Sequence, residues 1–196
     1  KYSQFVNYLS QLQVWLAYAN RSLDELGTND FGASGSDITV TQAQTYAQQI
    51  WSAIGNAGIP ASKRVRTELM VRTTSTDGFA TEANQTISGA GWGAGGNVEA
   101  FNQWLRTQSS SNVAQVIRFA HPYGSVNPYV WAVPNRTQDG LHPREQAHTA
   151  IAQHPVTSAR DACAEVVQAF FANGGDLSTL IGTPTSNPGQ ADSRSH

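Results

Sequence analysis

Phe5, Leu9, Leu12, Leu16, Ala19, Leu23 and Leu26 recur at intervals of 4-3-4-3-4-3, and this spacing constrains the fold more than any other feature of the chain. Apolar side chains at that period lie on one side of an α-helix, so the pattern predicts a long amphipathic helix whose stripe must be buried against a partner. Gly27 supplies its C-terminal stop. A polar stretch from Thr28 to Asp37 follows, and Asp37 or Thr39 can cap a second helix with the stripe Ala43, Ala47, Ile50 and Ile54, Trp51 lying alongside. Gly55, Gly58 and Pro60 end it. Two antiparallel helices joined by a short loop form an αα-hairpin, from which a bundle can be built.

Further along, Val65, Thr67, Leu69 and Val71 alternate with Lys63, Arg64, Arg66, Glu68 and Arg72, a pattern open to a short strand or to a basic helix. Ser75 to Gly96 is weakly patterned and ends in the glycine-rich run 89–96, which reads as loop. Asn97 should cap a short helix carrying Val98, Phe101, Trp104 and Leu105. Asn112 should cap another with Val113, Val116, Ile117 and Ala120 on one face. His121 to Leu141 contains Pro122, Pro128 and Pro134 and reads as irregular. Pro143 suits the first turn of a helix running to about Gln153, with Ala147, Ala150 and Ile151 inward. Thr157 or Ser158 begins a last helix, striped by Ala159, Cys163, Val166 and Phe170 and closed by Asn173-Gly174-Gly175. The expectation is a mostly α fold: a bundle of four to six helices with long irregular loops and little strand. At 196 residues it forms a single domain over 1–182, with a flexible C-terminal tail over 183–196.

Composition bears on partners. Charged residues are 13% of the chain, against about 25% in ordinary globular domains, and Gln, Asn, Ser and Thr fill the gap. A net charge of −2 gives no global attraction to nucleic acid or to an anionic membrane. No apolar run approaches the ~20 residues of a membrane span. One cysteine, Cys163, excludes an intramolecular disulfide framework and a cysteine-built zinc site. The chain opens on Lys1 rather than Met, which points to processing or to an N-terminal extension. Ten arginines against two lysines, with five Trp and six Tyr, match the balance of surfaces that bury one another. Extensive self-assembly is therefore expected, a polar but uncharged surface of a secreted or high-GC bacterial protein being the alternative.

Motifs for catalysis are sparse. His121, His142 and His154 each precede a proline, and His142, Glu145 and His148 fall at i, i+3 and i+6, too far around a helix for three metal ligands to converge. Gly32 to Ser36 is one residue short of a nucleophile elbow, and 89–96 lacks the Lys-Ser/Thr ending of a phosphate loop. Cys163 falls on an apolar stripe and reads as core. Asn20-Arg21-Ser22, Asn84-Gln85-Thr86 and Asn135-Arg136-Thr137 match the glycosylation pattern. The expectation is a protein that is not an enzyme, without catalytic residues, metal or cofactor. The arginines remain: Arg64, Arg66 and Arg72 in a cluster, then Arg118, Arg136 and Arg144, all able to grip phosphates without reading bases.

Ser3-Gln4-Phe5-Val6, the helical hairpin ending in Gln42-Ala43-Gln44-Thr45 and Gln49-Ile50-Trp51, the basic stretch after it and the late helix from Ser158 together resemble the coat proteins of rod-shaped helical plant RNA viruses of the tobacco mosaic and peanut clump type. Arg118-Phe119-Ala120, Asn127-Pro128 and Asp139-Gly140-Leu141 resemble the signature of flexible filamentous coat proteins, without the aspartate of that signature. The resemblance implies a coat subunit that polymerises around single-stranded RNA. Its partners would be the RNA and many copies of itself, with no membrane. It would reside in the virion, and in the host cytoplasm during assembly. The alternatives from other classes are a secreted or phage-associated bacterial hydrolase using His142, Glu145 or His148, and a protein-only filament or tail-tube subunit.

Overall fold

The computed structural model describes residues 4, 5, 8, 11, 12, 14, 16, 18–109, 111–117, 127–134 and 136–153. Residues 1–159 cluster as one unit and 160–196 as a second, and every described residue belongs to the first. The helix from Ser158, Cys163 and the tail over 183–196 lie outside the described residues.

The mostly helical expectation is overturned. The fold is mixed α/β, with four helices and two sheets among the described residues. Residues 4, 5, 8, 11, 12, 14 and 16 are helical as expected, but the helix does not reach Leu26: Ser22–Asp24 is a strand, β1. Leu23, which fits the helical stripe, is 60% exposed. The heptad-like spacing therefore runs past the helix by coincidence, into a strand too short to show its own two-residue period.

After β1 come a one-turn helix α1 (Thr28–Phe31) and the long α2 (Val40–Asn56). Thr39 caps α2 in a capping box: its hydroxyl accepts from the Gln42 amide at 3.2 Å, while the Gln42 side chain accepts from the Thr39 amide at 2.9 Å. Ala43, Ala47, Ile50, Trp51 and Ile54 are its buried face, the stripe read from the sequence. A short 3₁₀ turn (Ala61–Lys63) leads into β2 (Arg64–Thr67), so the alternating basic segment is strand and not helix. β3 (Thr73–Ser75), which ends where the weakly patterned tract begins, and β4 (Gln85–Ile87), inside it, form an antiparallel pair; three-residue strands leave no legible alternation. Asn97–Arg106 is α3, burying Val98, Phe101 and Leu105. The helix expected at Asn112 is instead β5 (Gln115–Ile117), whose Val116 and Ile117 suit a strand as well as a helix. Glu145–Gln153 is α4, with Ala147 fully buried.

β1, β2 and β5 make a parallel sheet in the order β1-β2-β5, with Leu23 opposite Val65, and Arg66 opposite both Asp24 and Val116. Alternation sends Val65 and Ile117 to one face and Asp24, Arg66 and Val116 to the other. Each face has its own core. Val116 joins Phe31, the α2 stripe, Trp92 and the α3 residues Val98, Phe101 and Leu105. Ile117 and Val65 pack with Trp131, Ala132 and Ala147 of α4, together with Met70 and Val71. Parallel strands buried on both sides are the layered arrangement of an α/β domain, and the reason a bundle does not form.

The glycine-rich stretches interlock. Gly91 donates to the Ser34 carbonyl at 3.1 Å and the Trp92 indole donates to the Gly32 carbonyl at 3.0 Å. A Cβ on Gly89 would sit 2.5 Å from the Ser34 carbonyl oxygen, and one on Gly91 2.2 Å from that of Gly35. Gly32 to Ser36 and 89–96 are thus two backbones in contact, at a separation no side chain permits.

Candidate functional site

Four of the six arginines expected to meet phosphate, Arg64, Arg66, Arg136 and Arg144, have internal partners. Arg66, 1% exposed, projects from β2 between the sheet and α3. Its guanidinium pairs with Asp24 Oδ1 at 2.6 Å, donates to the Leu26 carbonyl, and lies 5.9 Å from the centre of the Phe101 ring. Burial pulls its pKa below the usual arginine value, and Asp24 pushes back. Arg64 is half-buried, with Nε donating to the Ile59 carbonyl at 2.8 Å and a terminal nitrogen donating to the Asn112 carbonyl at 3.4 Å. Arg136 donates to the Gln146 carbonyl, and exposed Arg144 reaches the Gln138 side chain at 3.1 Å. Arg72 is half-buried between β2 and β3, and Arg118 lies outside the described residues. Arg106 pairs with Glu68, which is 1% exposed. Of the cluster Arg64, Arg66 and Arg72, the first two are engaged in separate internal bonds.

A different pair lies in close contact. Asp139 and His142 lie in the turn before α4, with Asp139 Oδ2 2.6 Å from His142 Nδ1. The other carboxylate oxygen accepts the Leu141 amide at 2.9 Å and the His142 amide at 2.8 Å. The contact with His142, then these amides, holds the Asp139 carboxyl well below the usual carboxylate range, so it is ionised at neutral pH. The His142 side chain is 75% exposed. Of the triad weighed for metal, Glu145 and His148 are exposed on the first turns of α4, and His121 and His154 lie outside the described residues. No group of three metal-binding side chains occurs among the described residues.

The turn is tied to the segment that follows β2. β1 runs out into Gly27 and β2 into Glu68, and a Cβ on Gly27 would come within 3.1 Å of the Leu69 side chain. From Leu69 the chain passes Met70 and Val71, packed on the second core, to Thr73, whose amide donates to the Gly140 carbonyl at 3.0 Å.

Asp139 was not singled out from the sequence, because His142 was weighed only against residues downstream of it. The available signal was local: Asp-Gly is a turn dipeptide, and an aspartate three residues before a histidine can fold back onto its ring. No helix among the described residues is long and apolar enough to cross a membrane. No protein-family model, no curated protein and no solved structure matches this chain.

Proposed function

We propose that this chain carries the acid–base part of a hydrolytic site, with His142 as general base and acid and Asp139 as the carboxylate that orients it. The observation that carries this reading is the 2.6 Å contact between Asp139 Oδ2 and His142 Nδ1. A carboxylate on Nδ1 keeps the proton on that nitrogen and leaves Nε2 as the acceptor, and it stabilises the imidazolium formed when a proton is taken. With three-quarters of the side chain exposed, Nε2 can take a proton from a water molecule as the water oxygen attacks an ester carbonyl, forming the new C–O bond of the acid product. The same proton then passes to the departing alkoxide, so the imidazole is neutral again at the end of the cycle. Acyl esters are the substrate class this arrangement suits, because their hydrolysis by water needs one proton taken and returned and nothing oxidised.

This is the hydrolase alternative of the sequence analysis, with Asp139 in place of Glu145 and His148 as the partner of His142. It is preferred to the coat-subunit reading because Arg66, central to that reading's cluster, is buried on Asp24. The test is hydrolysis of p-nitrophenyl acetate by the full-length protein and its His142→Ala and Asp139→Asn variants. A loss of roughly 10²–10⁴-fold in kcat is expected for each. Rates equal to wild type in both variants refute the assignment.

A further inference from the structure

The Asp139–His142 pair has little packing of its own: the two side chains are 51% and 75% exposed. An exposed pair keeps one geometry only if the backbone beneath it is held, and the bonds that hold it converge on Gly140. The Gly140 carbonyl accepts two buried donors, the Trp131 indole N–H at 2.9 Å and the Thr73 amide at 3.0 Å. The Gly140 amide donates to Thr137 Oγ1 at 3.0 Å, and that hydroxyl donates to the His142 carbonyl at 2.9 Å. The turn is thus fixed on both sides of the pair.

The two donors are themselves linked. The Gln85 side chain donates to the Trp131 carbonyl at 2.7 Å and accepts the Trp131 amide at 2.9 Å, pairing with that residue as a neighbouring strand would. Its oxygen also accepts from Thr73 Oγ1 at 3.1 Å. One buried amide therefore sets both Trp131, which is fully buried, and Thr73, 2% exposed. A carbonyl oxygen with two lone pairs and two fixed donors has no freedom to rotate, so the peptide between Gly140 and Leu141 is locked.

We infer that Trp131 is a positioning residue of the hydrolytic site, its indole N–H locking the Gly140 carbonyl and thereby the angle at which Asp139 meets His142, with Gln85 holding Trp131 in place. This rests on the function proposed above. Its consequence is specific: loss of the indole N–H should affect the orientation of the imidazole and the chemical step, leaving substrate binding unchanged.

The test replaces Trp131 by Phe in the full chain, which keeps an aromatic ring and deletes the donor. A parallel protein carries β-(3-benzothienyl)alanine at position 131, which preserves the shape of indole with sulfur in place of N–H. Where W131F does not fold, the benzothienyl protein alone decides. The first readout is the downfield proton resonance of His142 Nδ1–H, which needs no substrate. The second is kcat and KM on p-nitrophenyl acetate. The resonance should broaden or move upfield in both altered proteins, with kcat falling about ten-fold and KM staying within two-fold. An unchanged resonance overturns the inference whatever the rates, and so does a loss carried by KM alone. A wild-type protein that shows the resonance and no esterase activity defeats the proposed function, while the resonance still decides the role of Trp131.

Discussion

Removing Asp24 tests the internal placement of Arg66 directly. In Asp24→Ala the guanidinium stays between the sheet and α3, 1% exposed, and loses the carboxylate at 2.6 Å. It keeps the Leu26 carbonyl and the face of Phe101, so part of its charge remains compensated. Breaking a buried ion pair from one side costs about 3–5 kcal/mol, because the other charge is left without water or partner. The Leu26 amide also loses its acceptor on Asp24 Oδ1, at 2.9 Å, so the cost is not smaller than that range implies. Against a total stability of about 5–15 kcal/mol such a variant is marginal. With a urea slope of about 2 kcal/mol/M the midpoint should fall by about 1.5–2.5 M. Equilibrium urea unfolding followed by tryptophan fluorescence measures this. The double variant Asp24→Leu with Arg66→Met removes both charges and should recover most of the loss, giving a coupling of about 2 kcal/mol or more. A shift under 0.5 M in Asp24→Ala, or a double variant as damaged as the two single changes summed, refutes the reasoning.

Gly140 has φ of +77°, and a Cβ there would lie 1.8 Å from the Thr73 carbonyl oxygen, whereas Gly78, at φ of +68°, has open space. Gly140→Ala should therefore cost well over 2 kcal/mol, and Gly78→Ala only the ~1 kcal/mol of left-handed backbone; equal costs in thermal unfolding would sink the contrast. The carboxylates of Asp139, Asp77 and Glu99 are all held below their usual values: by His142 and then backbone amides for Asp139, by Ser75, Asn84 and Thr81 for Asp77, and by the Gly95 amide and Tyr129 for Glu99. Folded values below unfolded ones mean that this stabilisation is complete above the unfolded range near pH 4 and disappears as acid protonates the folded groups. The melting temperature should thus be nearly flat from pH 7 to about pH 5 and fall below pH 4; a steep fall already between pH 7 and 6 would contradict this.

Helices long enough to show several turns of their pattern were legible. Thr39 as cap and Ala43, Ala47, Ile50, Trp51 and Ile54 as buried face describe α2 as it stands, and Val98, Phe101 and Leu105 do so for α3. Of the strands only β2 was legible, as one of two readings of its alternating segment; the others span three residues each, and over that length Leu23, Val116 and Ile117 satisfy a helical period as readily as a strand's. Pairing across the sheet, which joins residues as distant as Ser22 and Arg64 or Val65 and Gln115, decides what local spacing leaves ambiguous. The arginines were conspicuous by type, but their partners lie far away in sequence: Asp24 for Arg66 and Glu68 for Arg106. The Asp139–His142 contact was within reach, three residues apart, and was missed because His142 was weighed as a metal ligand with Glu145 and His148.

The interlocked loops at 32–36 and 89–96 invert a common intuition about which parts of a chain are free to vary. Stretches of Gly, Ala and Ser resemble spacers, tolerant of nearly anything polar. Where two main chains lie against each other, as Gly35 and Gly91 do, the smallest added carbon has nowhere to go, and the plainest letters of the sequence become its least replaceable. Drift in this protein should therefore be slowest where its text is most monotonous.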